Sequence, residues 1–392
     1  MEKVLILCAS HNDLGLIKAL KKLNYYVIGT GNKDNLPGEK MLDKWIKADY
    51  SDKELILQIS LEEKIDRICA CCNDFGVYTA AYVAEKLGLP GYDSYENTLK
   101  LHNKDRFKEL ALALGIETPK SYKYDNVQRA YDDMSKYDFP VIVKPVDCSA
   151  GNGVNVVKDC CGYKRAIDYA MAKSRTKRIV IESFIEGTQH GFCTYLVNQK
   201  VVAVCTNDEF SIQNPYRVEI DTFPATDWNR YSDSLIEQIE LIADNLKLKD
   251  GIFHLQYIVK DNTPWIIEVM RRTVGNMYHV LGNRLNNLCW EYWEAKARCG
   301  ISCEDFPENH HQEGFYAYKT ILATSNGIIK KINVSQEYES YTFEKYMLLS
   351  PGDEVVDCKN QPIGFLFMKF SCYEEMRSVL IDNYRCDFVE ID

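Results

Sequence analysis

The stretch GIFHLQYIVKDNTPWIIEVMRRTVGN, residues 251–276, decides how the rest of the chain is read. Residues 253–259 and 265–270 have the apolar, β-branched and aromatic content of strands, and residues 261–264 between them predict a tight turn. Together they predict a hairpin. Side chains alternate faces along a strand, so His254, Gln256 and Ile258 are expected on one face. On the second strand Ile266, Glu268 and Met270 are expected to do the same. An amide and a carboxylate within apolar strands are costly to bury unpaired. Arg271 and Arg272 follow at once, which points to an anionic, metal-bearing ligand between acid and guanidiniums. A Glu268–Arg272 ion pair on an edge strand would account for the same residues.

A second segment, FPVIVKPVDCSAGNGVNVV at residues 139–157, reads as an apolar strand ending in Lys144, a loop of small residues, and another β-rich run. Glycine permits positive φ and close backbone approach, so the loop Ser149-Ala150-Gly151-Asn152-Gly153 can wrap phosphate oxygens with its N–H groups. Lys144 adds a point charge. The loop joins two strands and lacks the GxxxxGK[ST] pattern, so it is neither a P-loop nor a dinucleotide fingerprint. On its own it also reads as an ordinary hairpin.

Taken together, these segments resemble the ATP-grasp superfamily, in its carboxylate–amine ligase branch, and the likeness runs along nearly the whole chain. Asn103-Lys104-Asp105 with RFKELALALGIETPKSY is similar to the helix that opens the family's domain, whose Lys contacts nucleotide phosphates. Lys144 matches the second nucleotide lysine, and Ser149, Gly151 and Gly153 match the glycine-rich phosphate lid. IVIESFIEG at residues 179–187 resembles the hinge that holds adenine. The resemblance implies Glu182 at the adenine amino group, the backbone of Ser183, Phe184 and Ile185 along the adenine edge, and Gln189 at the ribose. It assigns magnesium (or manganese) to Glu268 and Gln256, and the reacting carboxylate or phosphoryl group to Arg272 and Arg271. Alternation along the strand gives Arg272 the larger part, on the face of Glu268.

Three positions depart from the family's pattern. Gln256 and Met270 stand where Glu and Asn are usual, and Gln189 stands where a second hinge Glu is common. A Gln carbonyl is a hard ligand for magnesium but carries no charge. Asp208, Glu209, Glu219 and Asp221 are all near enough in sequence to compensate, and spacing does not choose among them.

The chain has 392 residues, with 46% hydrophobic and 27% charged, and a formal net charge of −10. Its length predicts two to four structural units. The acidic balance, without a Lys/Arg run, argues against nucleic acid or an anionic membrane as partner. Apolar runs are strand-sized, which predicts no transmembrane helix. MEKVLILCAS reads as a first strand rather than a signal peptide, and fifteen cysteines without paired CxxC spacing suit packing in a reducing cytoplasm.

Residues 1–95 alternate strand and helix patterns and predict a parallel, Rossmann-like α/β domain, the family's pre-ATP-grasp unit. Its strand ends at His11-Asn12 and Asn73-Asp74 face the cleft in the family, although caps explain the same residues. Residues 96–310 are expected to form the grasp, with a lid over about 120–180. Residues 232–251 predict an amphipathic helix closed by glycine. Residues 311–392 predict a β-rich C-terminal domain. The fold class is therefore α/β and α+β.

The resemblance implies an ADP-forming, ATP-dependent carbon–nitrogen ligase. A small-molecule carboxylate would be activated as an acyl phosphate and attacked by an amine. A bicarbonate-using or carbamoyl-phosphate-type enzyme and a non-catalytic nucleotide module are the alternatives, and a homodimer is left open.

Overall fold

The computed structural model describes residues 1–148, 151–309 and 311–392. Near the N-terminus β1 (Lys3–Leu7), β2 (Tyr26–Gly31), β3 (Lys44–Lys47) and β4 (Arg67–Cys69) form a wholly parallel sheet in the order β3-β2-β1-β4. Its strands are nearly unbroken apolar runs because helices cover both faces. One covering helix, Trp290–Arg298, comes from far along the chain, and its Ala295 packs with Leu16, Ile17 and Leu20. The N-terminal sheet therefore draws part of its core from residues beyond 95.

The segment expected as a lid holds a small antiparallel sheet of β5 (Ser121–Tyr124), β6 (Val141–Pro145), β7 (Asn155–Val157) and β8 (Ile179–Ser183), ordered β5-β8-β6-β7. Helix Tyr163–Lys173 covers one face through Tyr163, Ile167 and Ala170. Next come β9 (Thr188–Val197), β10 (Lys200–Phe210), β11 (Ile220–Phe223), β12 (Gly251–Lys260) and β13 (Thr263–Met270). The remaining strands are β14 (Phe315–Ile321), β15 (Gly327–Ile332), β16 (Thr342–Met347), β17 (Glu354–Val355), β18 (Gly364–Phe370) and β19 (Val389–Ile391). Among the described residues β14, β18 and β16 extend the central sheet, ordered β13-β12-β9-β10-β11-β14-β18-β16, so strands from both of the expected domains share one sheet. One face of that sheet packs Phe192, Phe253, Leu255 and Tyr257 against helix Trp228–Leu246. The other face carries the polar residues of interest.

Two local expectations change. The β12–β13 turn is only Asp261-Asn262, both at positive φ (52° and 62°), the conformation of a type I′ turn. Thr263 and Pro264 already belong to β13, where proline is tolerated because this is an edge strand. The 228–246 helix, read from the sequence as 232–251 and closed by glycine, ends instead at Lys247, at φ 50°. Gly251 instead opens β12.

The register of the hairpin also departs from simple alternation. Tyr257 pairs with Ile266, but Gln256 pairs with Glu268, so Ile267 is an extra residue in β13. This bulge moves Ile266 to the packed face with Tyr257 and puts Glu268 on the face of Gln256. The expectation that Ile266 shares a face with Glu268 is thereby corrected. All fifteen cysteines are free, and no helix among the described residues is long and apolar enough to cross a membrane.

Candidate functional site

Three lysines and two glutamates form a charged centre where the lid, the helix Lys104–Leu114 and β13 meet. Lys104 Nζ lies 3.1 Å from Glu268 and donates to the Cys148 carbonyl at 2.9 Å. Lys144, on β6, donates to Glu182 of β8 at 2.8 Å. Lys108, one turn after Lys104, lies 3.8 Å from Glu182. Glu182 is buried, and its Oε1 accepts no hydrogen bond among the described residues. Burial pushes both glutamates upward, but the lysines outweigh it and hold them below the usual carboxylate range. For Lys108 burial wins, lowering its pKa to about 8.

Lys108 was not singled out from the sequence. Its signal was its place four residues after Lys104, on the same helical face. Its Nζ donates to the carbonyls of Ile266 and Ile267 at 3.2 and 3.0 Å, and so grips the bulge that aims Glu268.

The two arginines part company. Arg272 Nε donates to Asp74 at 2.6 Å; burial works against the charge, but Asp74 outweighs it and leaves the guanidinium firmly charged. Asp74 lies at the N-terminus of helix Asp74–Leu87 and also faces His102 Nδ1 at 3.3 Å. The Glu268–Arg272 ion pair is absent among the described contacts, since Glu268 pairs with Lys104. Arg271 turns the other way. It is 2% exposed, donates to Asp93 at 3.0 Å and to the carbonyls of Gly251 and Ile252 at 3.1 and 2.6 Å. That placement is structural and does not match a contact with the reacting group.

Gln256, opposite Glu268, donates its amide to both oxygens of Glu209 at 2.9 and 2.7 Å. Gln189 donates to the same carboxylate at 2.5 Å. Burial raises the Glu209 pKa, and the two amides oppose it. The other acids are engaged elsewhere. Asp208 faces the opposite side, bonded to His190 at 2.6 Å and to Thr226. Glu219 pairs with Lys319 at 2.8 Å. Asp221 accepts from Asn207 at 3.0 Å and is raised by burial and by Glu209. Met270 is buried opposite His254 and offers no hard ligand.

Ser149 lies outside the described residues. Gly151 and Gly153 take φ of 72° and 81°. A Cβ at 151 would stand 2.2 Å from the Tyr216 carbonyl oxygen, so Gly151 packs directly on the segment between β10 and β11. Ser183, Phe184 and Ile185 emerge half-buried from β8. The amides of 183 and 184 are bound to the carbonyls of Lys120 and Pro140. A cavity of about 850 Å³ lies away from the lysines, between β7, Arg165, Tyr216 and Asn360. A much narrower cleft touches Lys104 and Glu268 beside Asp74 and His102.

Residues 137–279, which hold Lys144, Gly151, Gly153, Glu182 and the β12–β13 hairpin, match the ATP-grasp domain family. Over those residues the chain is similar to ATP-grasp domains. It is 26% identical over 187 residues to the formate-dependent phosphoribosylglycinamide formyltransferase of Rhodococcus jostii, covering 47% of this chain. That match spans 46% of the formyltransferase, so this chain aligns with about half the length of that relative. The L-amino acid ligase of Bacillus licheniformis superposes over all of this chain and 99% of its own, with a TM-score of 0.81 at 18% identity. The biotin carboxylase domain of Hydrogenobacter thermophilus 2-oxoglutarate carboxylase, solved with MgADP and bicarbonate, gives a TM-score of 0.77 at 18% identity over 100% of this chain and 92% of its own. At such identities the superpositions show a shared ATP-grasp fold, with the N-terminal α/β unit and the β-rich C-terminal part included.

Proposed function

We propose that this ATP-grasp protein is an ADP-forming ligase that joins a small-molecule carboxylate to an amine. The observation that carries the reading is the Lys104–Glu268 and Lys144–Glu182 centre, with Arg272 beside it. Two anions must be brought together in such a reaction, a carboxylate and the terminal phosphate of ATP. Fixed cations offset their repulsion and align them. Lys104 and Lys144 suit the phosphates, and the guanidinium edge of Arg272 suits the carboxylate or phosphoryl oxygens. The unbonded Oε1 of buried Glu182 is a fitting acceptor for an exocyclic amine of a purine.

The residues also fit magnesium. Glu268 supplies a carboxylate, and the carbonyl of Gln256 across the strand is a second hard oxygen. When bound there, the ion would offset phosphate charge. The carboxylate oxygen attacks the terminal phosphorus and ADP leaves. The amine nitrogen then attacks the acyl carbon and phosphate leaves. No Ser, Cys or His nucleophile is needed. The crystallised MgADP of a fold neighbour supports the nucleotide.

Phosphate release from ATP, screened against paired amino acids, other carboxylates and amines, tests the reading. Release that requires both a carboxylate and an amine supports it. Calorimetry without MgATP binding at millimolar concentration would sink it.

A further inference from the structure

The position on β12 where a carboxylate is expected holds Gln256, and the nearest acid reaching it sits two strands away. We propose that Glu209 is a positioning residue for the cation site: it holds Gln256 by its amide nitrogen and so leaves the Gln256 carbonyl oxygen for a cation beside Glu268. The inference rests on Glu268 being a cation ligand and adds the residue that completes its surroundings.

Geometry carries the argument. A carboxylate only accepts, so the amide atoms meeting Glu209 must be nitrogens. Gln256 Nε2 donates to both Glu209 oxygens at 2.9 and 2.7 Å, so the nitrogen and not Oε1 meets Glu209. Glu268 is the cross-strand partner of Gln256 and lies on the same face. Gln189 is fixed in the same manner, with Nε2 on Glu209 at 2.5 Å.

The reach across β9 depends on a missing side chain. The residue between Gln256 and Asn207 in the register is Gly191. A Cβ there would stand 2.2 Å from Asn207 Oδ1. Nothing therefore rises from β9 between Gln256 and β10. Asp208, Glu219 and Asp221 have partners of their own, which leaves Glu209 as the acid that serves Gln256.

The arrangement is an exchange of residue types between β12 and β10, and that makes it testable by exchanging them back. A glutamate at 256 would set two carboxylates face to face at hydrogen-bond distance. Glu209→Gln replaces one of the two acceptor oxygens with a donor. The double variant Gln256→Glu/Glu209→Gln restores one donor and one acceptor with the carboxyl group on β12.

The probe is Mn²⁺ in the presence of ADP, followed by electron paramagnetic resonance on the full chain, with urea midpoints alongside. Each single variant is expected to weaken Mn²⁺ about 10–100-fold, the usual size for a residue that orients a ligand. The exchange variant is expected to recover most of the parent affinity and midpoint. Parent-like Mn²⁺ binding by Glu209→Gln, tighter binding by Gln256→Glu alone, or no recovery in the exchange variant would overturn the inference. Glu268→Gln separates the two levels. If it still binds Mn²⁺ normally, the cation site itself is wrong; if it loses Mn²⁺ while Glu209→Gln does not, only the role of Glu209 fails.

Discussion

Arg272 donates its Nε to Asp74 at 2.6 Å, joining the end of β13 to the first turn of a helix in the N-terminal α/β unit. The bond fixes one edge of the guanidinium. It makes the N-terminal unit a structural part of the charged centre, although the two residues are almost two hundred positions apart in sequence.

Arg272→Lys should lower phosphate release by about an order of magnitude or more, because lysine keeps the charge but not the planar fork. Arg271→Lys should instead lower the urea midpoint, since Arg271 holds Asp93 and four neighbouring carbonyls within the fold. Asp74→Asn keeps the shape but loses the ion pair, so its effect should follow that of Arg272→Lys. Side-by-side kinetics and denaturation decide. A larger kinetic loss in Arg271→Lys would mean the two arginines are misassigned.

Lys104→Met should weaken MgATP by about 1.5–3 kcal/mol, the range for a contact to a charged group. Lys144→Met should do the same and also reduce stability, because it strips a buried glutamate of its nearest cation. Adding Glu182→Gln to Lys144→Met should return stability but not nucleotide affinity. Calorimetry and urea titration on the three proteins read the two effects separately. Equal affinity in Lys104→Met and the parent would exclude a phosphate contact.

Lys108 predicts a pH dependence. Its pKa in the fold is lowered by burial from 10.5 to about 8, so between those values the unfolded chain binds the extra proton. Its burial penalty is therefore fully present below about pH 8 and is relieved as pH rises toward 10.5. The stability of the parent relative to Lys108→Met should rise over that window. Urea midpoints of both proteins at pH 7.5 and 9.5 measure it, and a difference that does not change would contradict the burial of a charged Lys108. The same variant also releases the bulge at Ile267, so Mn²⁺ binding should weaken as Glu268 loses its register.

Gly151→Ala should loosen the lid. Alanine at φ 72° costs about 1–2 kcal/mol, and its Cβ would collide with the Tyr216 carbonyl. Limited proteolysis should cut faster within residues 148–155 in the variant than in the parent, with the rest of the chain unaffected. Identical cleavage rates would show that the lid tip does not depend on that contact.

Much of this was legible in the residues themselves. Apolar runs at strand length, the alternation of Gln256 and Glu268 with hydrophobic neighbours, and the glycines of the lid identify the hairpins and the ATP-grasp pattern, because local periodicity and positive-φ demands are written in composition. Lys144 and Glu182 lie on neighbouring strands of a short antiparallel sheet, so their meeting also follows from local order. What the tertiary structure alone decided came from contacts without a sequence period. The bulge at Ile267 has no marker in its own side chain, yet it sets the face of Glu268, and its grip comes from Lys108 on a distant helix. The choice of Glu209 among four nearby acids depended on strand order and on the bare Gly191 between β12 and β10. Arg272 and Arg271 are adjacent and chemically identical. Only the carboxylates that folding set on either side, Asp74 and Asp93, send one to the centre and the other into the core.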